Sequence, residues 1–298
     1  MVSHDAGGAE IISAWLRASR REGVDYCIEG PAAKIFPRKI ECLHTVPADQ
    51  AMGALESYHE IVTGTSWPSE MERRFIREAK SRNVRVVTYL DHWVGYRERL
   101  TLNGLLVLPD ELRVGDEFAF EMASNLFPTH PIVFQENLYF TQMAREISEL
   151  SDKRSKVTTE KRVLYLTEPM SNPSTGIETD QDGTPRYRQY SEFEALRGYV
   201  DHLKKASESI ERMRIRSHPS EKKGKYVGLA EGLSSNFPIE VDVETSLQED
   251  CAWSDWVVGC QTMALVIALH AGKCVFSCIP PGGAPLTLPY PGIRRVFD

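Results

Sequence analysis

The sequence predicts an α/β protein built on parallel sheets, organised as two domains. Short apolar runs alternate with amphipathic stretches of helical period along almost the whole chain, and strands separated by helices pair in parallel. At 298 residues the chain also exceeds what one hydrophobic core usually organises. A polar, aperiodic segment at 151–161 (SDKRSKVTTEK) interrupts the pattern before it restarts. The expected domains are therefore 1–150 and 162–298, joined by a linker at 151–161.

The elements follow in order. Residues 1–3 read as the tail of a strand, and Gly7-Gly8 opens a helix over about 9–22. Strands are expected at 24–28 and 60–63. Pro68 suits a helix start, where its missing N–H costs little, and that helix runs to about 82. Residues 84–90 are almost all β-branched or aromatic, as in a strand buried on both faces. A short strand at 112–114, a helix over 116–125, a strand at 131–134 and a helix over 137–150 complete the first half. In the second half, strands are expected at 163–166, 212–216, 255–258 and 273–277, and helices over 191–210 and 262–271. The stretch 172–188 is a Gly/Pro/Asp-rich loop.

Charge and composition exclude several functions. With 42 Asp+Glu against 35 Lys+Arg, the net charge is −7, which argues against a general nucleic-acid surface. A local cationic island at Arg214, Arg216, His218, Lys222, Lys223 and Lys225 still suits one small phosphorylated ligand. No apolar run approaches the ~18–20 residues of a membrane span. The first residues lack a signal-peptide pattern. The six cysteines form no CxxC pair and no zinc spacing, so free thiols in a reducing compartment are expected. A cytoplasmic location follows as an expectation, compatible with peripheral membrane contact. Metal-independent chemistry is also expected: no DxD stands at a strand end, and Asp180-Gln181-Asp182-Gly183 reads as an exposed turn.

Five stretches carry candidate chemistry, each where an expected strand hands over to a loop. In open parallel sheets, ligands bind at that edge. His4-Asp5-Ala6-Gly7-Gly8 offers backbone N–H groups at a helix start, with Asp5 a base or a cap. Thr65, Ser66 and Trp67 precede the next helix and either hold a hydroxyl-rich group or cap the helix. Asp91-His92-Trp93, then Tyr96 and Arg99, combine an acid–base pair with flat rings for a sugar or base. Arg216, Ser217, His218, Pro219, Ser220, Glu221, Lys225 and Tyr226 gather cationic and polar groups around a histidine suited to a phosphate. Gln261, Thr262 and Met263 present backbone N–H groups and a helix dipole to an anion.

Taken together, these residues resemble the bacterial surface-polysaccharide glycosyltransferases of the GT-B superfamily. The turn at Asp5 to Gly8 looks like that family's first loop. The segment Val258-Gly259-Cys260-Gln261-Thr262-Met263-Ala264-Leu265 looks like its donor-phosphate turn and helix. Arg216-Ser217-His218-Pro219 is similar to the His-Pro element of transferases that use CMP-sialic acid or CMP-Kdo. The resemblance implies two Rossmann-like domains facing across a cleft, with the acceptor side N-terminal and the donor side C-terminal. It implies a nucleotide-sugar donor as substrate, a glycan or glycolipid acceptor, no cofactor, and a role in polysaccharide or glycoconjugate biosynthesis. Asp91, His92, Asp5 and His218 would be catalytic. Arg216, His218, Pro219, Ser220, Glu221, Lys225, Tyr226, Gln261, Thr262 and Met263 would hold the donor. Gly7, Gly8, Thr65, Ser66, Trp67, Trp93, Tyr96 and Arg99 would face the acceptor. A nucleotide-sugar 2-epimerase or hydrolase of the same fold, or a non-catalytic GT-B-like binding subunit, are the alternatives.

Overall fold

The computed structural model describes residues 1–151, 160–170, 190–234 and 237–297. It divides into two compact units, Met1–Tyr139 and Phe140–Asp298. Most of the expected linker, the loop at 172–188 and the Asp180–Gly183 turn lie outside the described residues.

The first unit runs β1 (Val2–Ser3), α1 (Ala6–Ser19), β2 (Asp25–Ile28), α2 (Ala32–Lys39), β3 (His44–Thr45) and α3 (Ala48–Gly53). It continues with β4 (Glu60–Thr63), α4 (Met71–Ser81), β5 (Arg85–Leu90), α5 (Tyr96–Arg99), the small hairpin β6 (Thr101–Leu102) and β7 (Leu105–Leu106), β8 (Glu111–Val114), α6 (Glu117–Leu126) and β9 (Ile132–Phe134). Helix α7 (Leu138–Ser151) crosses the boundary between the units. The main sheet is parallel, in the order β3-β2-β1-β4-β5-β8-β9. Two residues suffice for β1 because it is sandwiched: Val2 pairs with Cys27 on one side and Thr63 on the other, and Val2 and Ser3 are buried. Ile12, Leu16, Phe36, Val62, Val87 and Tyr89 form the core beneath α1 and α2.

The second unit runs β10 (Lys161–Leu166), α8 (Glu192–Ala206), β11 (Ile210–Arg216), α9 (Val227–Leu233), β12 (Ile239–Val241), α10 (Leu247–Trp253), β13 (Trp256–Gly259), α11 (Met263–His270), β14 (Cys274–Ser277) and β15 (Ile293–Arg295). Its parallel sheet has the order β12-β11-β10-β13-β14-β15. Val163, Leu196, Tyr199, Met213, Ile215 and Val258 fill its core. Ser191 with Glu194 and Ser246 with Glu249 form capping boxes that start α8 and α10. Among the described residues no helix is long and apolar enough to cross a membrane.

In both sheets the first strand lies inside. The second and third strands are on one side of it and the fourth on the other, as in a doubly wound Rossmann unit. The point where strand order reverses therefore falls between β1 and β4, and again between β10 and β13.

The structure corrects several boundaries. Helix α1 begins at Ala6, so Gly7 and Gly8 lie in its first turn rather than ahead of it. Helix α4 begins at Met71, leaving Pro68 in the approach to the helix. Helix α2, which sequence periodicity misses, carries Pro37 near its end, and α9 contains Gly228 and Gly232. Such residues mask a helical period.

Candidate functional site

At the carboxyl edge of the first sheet, the loops after β1, β4 and β5 converge. A Cβ on Gly8 would lie 3.1 Å from the Gly64 Cα, so the two backbones pack closely and a side chain at either position would have to push the other aside. Asp5 neither caps α1 nor stands free as a base. Its Oδ1 accepts from Ser66 Oγ at 2.8 Å and lies 2.8 Å from His4 Nδ1, while its Oδ2 accepts the Trp67 N–H at 3.1 Å. Asp5 thus fastens the β4 loop to the β1 loop. Behind it, Glu72 accepts the His4 N–H at 2.7 Å, and burial pushes its carboxyl up to about 7.

Asp91 immediately follows β5, with its side chain fully buried. Oδ1 accepts from Thr65 Oγ1 at 3.0 Å, and Arg99 Nη1 lies 3.8 Å from the same oxygen and 3.3 Å from Thr65 Oγ1. Oδ2 has no hydrogen-bond partner and presses on Gly7, where a Cβ would stand 2.0 Å away. His92 Nε2 is 3.5 Å from Oδ2, and its ring is half-buried. Burial lowers the His92 pKa against the pull of Asp91, so the imidazole is neutral near pH 7 and able to take a proton. His92, not Asp91, is the accessible member of this pair.

The aromatic residues divide. Trp67 is 53% exposed, and Arg99 sits over its ring at 5.5 Å. Trp93 and Tyr96 are buried and present no face to a ligand, contrary to the sequence expectation. Trp93 Nε1 donates to Asp116 Oδ2 at 2.9 Å. Arg99 is buried too, and acts on Thr65 and Asp91 rather than on solvent.

At the carboxyl edge of the second sheet, His218-Pro219-Ser220-Glu221 is a tight turn. The Glu221 N–H donates to His218 O at 2.8 Å, and Pro219 supplies the turn's preset φ. Asp242, in the left-handed region at φ 49°, accepts from the N–H groups of Ser217 (2.9 Å) and Gly224 (2.8 Å) and so pins the loop at two points. The His218 N–H donates to Thr167 Oγ1 and Glu221 Oε2, both at 3.0 Å. His218 Nδ1 accepts the Ser220 N–H at 3.2 Å and lies 2.8 Å from Ser220 Oγ; with the hydroxyl donating to Nδ1 as well, the ring proton is on Nε2. Burial lowers the His218 pKa against Glu221, so the ring is a neutral Nε2–H donor.

Three members of the cationic island, Arg214, Arg216 and Lys225, are neutralised by carboxylates. Lys225 pairs with the buried carboxylates of Glu192 and Glu221, and Tyr226 OH donates to Glu221 Oε1 at 2.6 Å. Burial opposes charge on Glu221, but its bonds from Lys225, Thr167 and Tyr226 hold its pKa below the usual value. Arg216 Nη1 donates to Asp250 Oδ2 and Thr245 O, both at 2.8 Å; Arg214 contacts Glu240 and Asp250 and lies over Trp253. These groups shape the edge more than they offer free charge.

The turn after β13 opens α11: Thr262 caps the helix through Ala264 N, and Met263 is its first residue. Gln261 Oε1 accepts from Thr287 Oγ1 at 3.0 Å. No sequence motif marks Thr167, Glu168 or Asp242. The signal for the first two was their place immediately after an apolar strand.

No family model matches the sequence, and no curated protein matches it in sequence. Solved structures do match. The chain is similar to Acinetobacter baumannii MurG at TM-score 0.55 and 10% identity, covering 93% of this chain and 77% of that one. It is similar to the UDP-GlcNAc 2-epimerase from Methanocaldococcus jannaschii at TM-score 0.57 and 11% identity, covering 93% and 82%. It is also similar to S. aureus MnaA in a UDP co-structure, at TM-score 0.57 and 9% identity, covering 93% and 78%. The fold is that of the GT-B proteins, with two Rossmann-like domains.

Proposed function

We propose that the chain is a glycosyltransferase that binds a nucleotide-activated sugar at the edge of its second sheet and transfers the sugar to a hydroxyl acceptor without a metal. The observation that carries this reading is His218. It is a neutral imidazole with its proton on Nε2, held on a pinned turn at the carboxyl end of β11. A fixed neutral donor suits a phosphate oxygen that gains charge as the glycosidic bond breaks. The bond between the anomeric carbon and that oxygen breaks as the acceptor oxygen attacks the same carbon, and the acceptor proton goes to a base. The first unit offers its own candidate base: His92, with Asp91 beside it, is neutral and accessible, whereas Asp91 and Asp5 are engaged or enclosed. Trp67, exposed beside Arg99, offers a ring for acceptor stacking. The acceptor is a glycan or glycolipid in this reading, and the setting is polysaccharide or glycoconjugate synthesis in the cytoplasm.

UDP in the S. aureus MnaA structure makes a UDP-sugar the first donor to try, with a CMP-linked acidic sugar the second. Calorimetry against UDP-, CMP- and GDP-sugars is the direct test. Binding to one of them, weakened at least tenfold in His218→Ala, is expected; no binding to any refutes the reading. Turnover retained in excess chelator is expected as well, and complete loss overturns metal independence.

The likeness to a UDP-GlcNAc 2-epimerase favours one other reading, in which the donor is epimerised or hydrolysed. Product analysis with donor alone separates the two. Rapid donor turnover without acceptor selects the epimerase or hydrolase.

A further inference from the structure

The loop after β10 brings a carboxylate to the place where the sequence leads one to expect a phosphate. Glu168 Oε1 accepts the Gln261 N–H at 2.6 Å, and the neighbouring Thr262 N–H favours the charged carboxylate as well. These two amides precede α11, whose dipole adds partial positive charge there. The chain thus carries its own anion on the groups that would receive a donor phosphate, in a short, charge-assisted bond. A diphosphate arriving at the same amides meets that carboxylate, and like charges in contact cannot both persist.

We infer that Glu168 is a proton-operated gate for phosphate at this edge: as a carboxylate it occupies the Gln261 and Thr262 amides, and on taking one proton from solvent it yields them and donates its own O–H to the incoming phosphate oxygen. The inference rests on the nucleotide-sugar reading for its ligand. It adds a residue that reads the phosphate and links binding to pH.

The surroundings make Glu168 the group that titrates. Burial, aided by Glu221, lifts its carboxyl to about 7 against the two amide bonds. The groups facing it hold one state between pH 7.5 and 9. Glu221 is held low and stays ionised. His218 is lowered by burial and stays neutral. Tyr165 and Tyr190 are raised by burial, and Cys260 by its bond to Cys278 and by burial, so all three stay protonated. Lys225, though burial opposes its charge, is raised by Glu192 and Glu221 and stays cationic.

The test is calorimetry with UDP-N-acetylglucosamine, whose diphosphate diester does not titrate in this range, in two buffers of different ionisation enthalpy. The protein should take up close to one proton per ligand at pH 8. Its affinity should fall about tenfold per pH unit from 7.5 to 9. Glu168→Gln, which mimics the neutral acid, should bind without proton uptake, with a flat profile, and about 30-fold tighter than the unmodified protein at pH 8.5. Zero uptake or proton release in the unmodified protein overturns the gate, a result that needs no variant. So does a Glu168→Gln protein that keeps the slope. Sulfate, which also does not titrate, separates the gate from its ligand. Shifts of the Gln261 and Thr262 amide resonances with sulfate should be stronger in Glu168→Gln than in the unmodified protein at pH 8.5. If that holds while UDP-, CMP- and GDP-sugars all fail to bind, the gate stands and the nucleotide reading falls. If UDP-N-acetylglucosamine binds without proton linkage, the reading stands and the gate falls.

Discussion

Replacing Gly7 with alanine puts a methyl group against a buried charge. The new Cβ would stand 2.0 Å from Asp91 Oδ2 and 3.0 Å from its Cγ, where ordinary contact begins at 3.4 Å. One side must therefore retreat by roughly 1.4 Å, the difference between the contact distance and 2.0 Å. Asp91 has no room to do so: its side chain is fully buried and its Oδ1 is held by Thr65 at 3.0 Å. Overpacking of this kind costs about 1–3 kcal/mol. Loss of the bond to the carboxylate adds about 1.5–3 kcal/mol. Alanine offsets about 1 kcal/mol, because Gly7 lies within α1. The net destabilisation is about 1.5–5 kcal/mol. Gly53→Ala is the control in the same unit, because a Cβ there meets nothing within 4 Å. It should be neutral or slightly stabilising. Urea titration followed by far-UV circular dichroism measures both variants. A Gly7→Ala protein within about 0.5 kcal/mol of the unmodified one would refute the enclosed position of Asp91.

Other outcomes follow from the same contacts. Lys225→Met leaves Glu192 and Glu221 buried without their shared cation and should cost about 3–5 kcal/mol in a urea titration; a cost below about 1 kcal/mol would show that the pair is solvated. Glu72, raised to about 7 in the folded chain, binds protons that the unfolded chain has already released between pH 4.5 and 7. Its contribution is therefore full below pH 4.5 and is lost as pH rises to 7, by up to about 1.4 kcal/mol per pH unit, and Glu72→Gln should remove that slope. Trp67→Ala should leave the thermal midpoint within about 2 °C, since the ring is 53% exposed, while raising KM for the acceptor; unchanged acceptor kinetics would argue against stacking.

The strand ends after β1, β4, β5, β11 and β13 are legible in the sequence because each apolar run stops at a cluster of glycine or polar residues. That places His218, Thr262, Asp91 and the Gly7-Gly8 turn at sheet edges without coordinates. Trp93 and Tyr96 are a different case. Beside Asp91 and Arg97 they look exposed, and only the packing around α5 and Asp116 shows that they are core. The lysines and arginines near His218 read as a free island because several of their partners are remote in sequence: Asp250 is 34 residues from Arg216, and Glu192 is 33 from Lys225. Glu168 shows the same limit. Its carboxylate reaches an amide 93 residues away, and no local pattern encodes a contact across a parallel sheet.

The inside position of β1 and β10 has a consequence for synthesis. Each is the first strand of its unit to be made, and each is flanked on both sides by strands made later. Both sheets are therefore assembled outward from the middle as the chain emerges. The strand that closes the first reversal, β4 or β13, must be translated before its β1 or β10 is covered on both sides. Until then one edge of the central strand stays unpaired, open to wrong partners, and its protection depends on how quickly residues 4–59 of the first unit are translated.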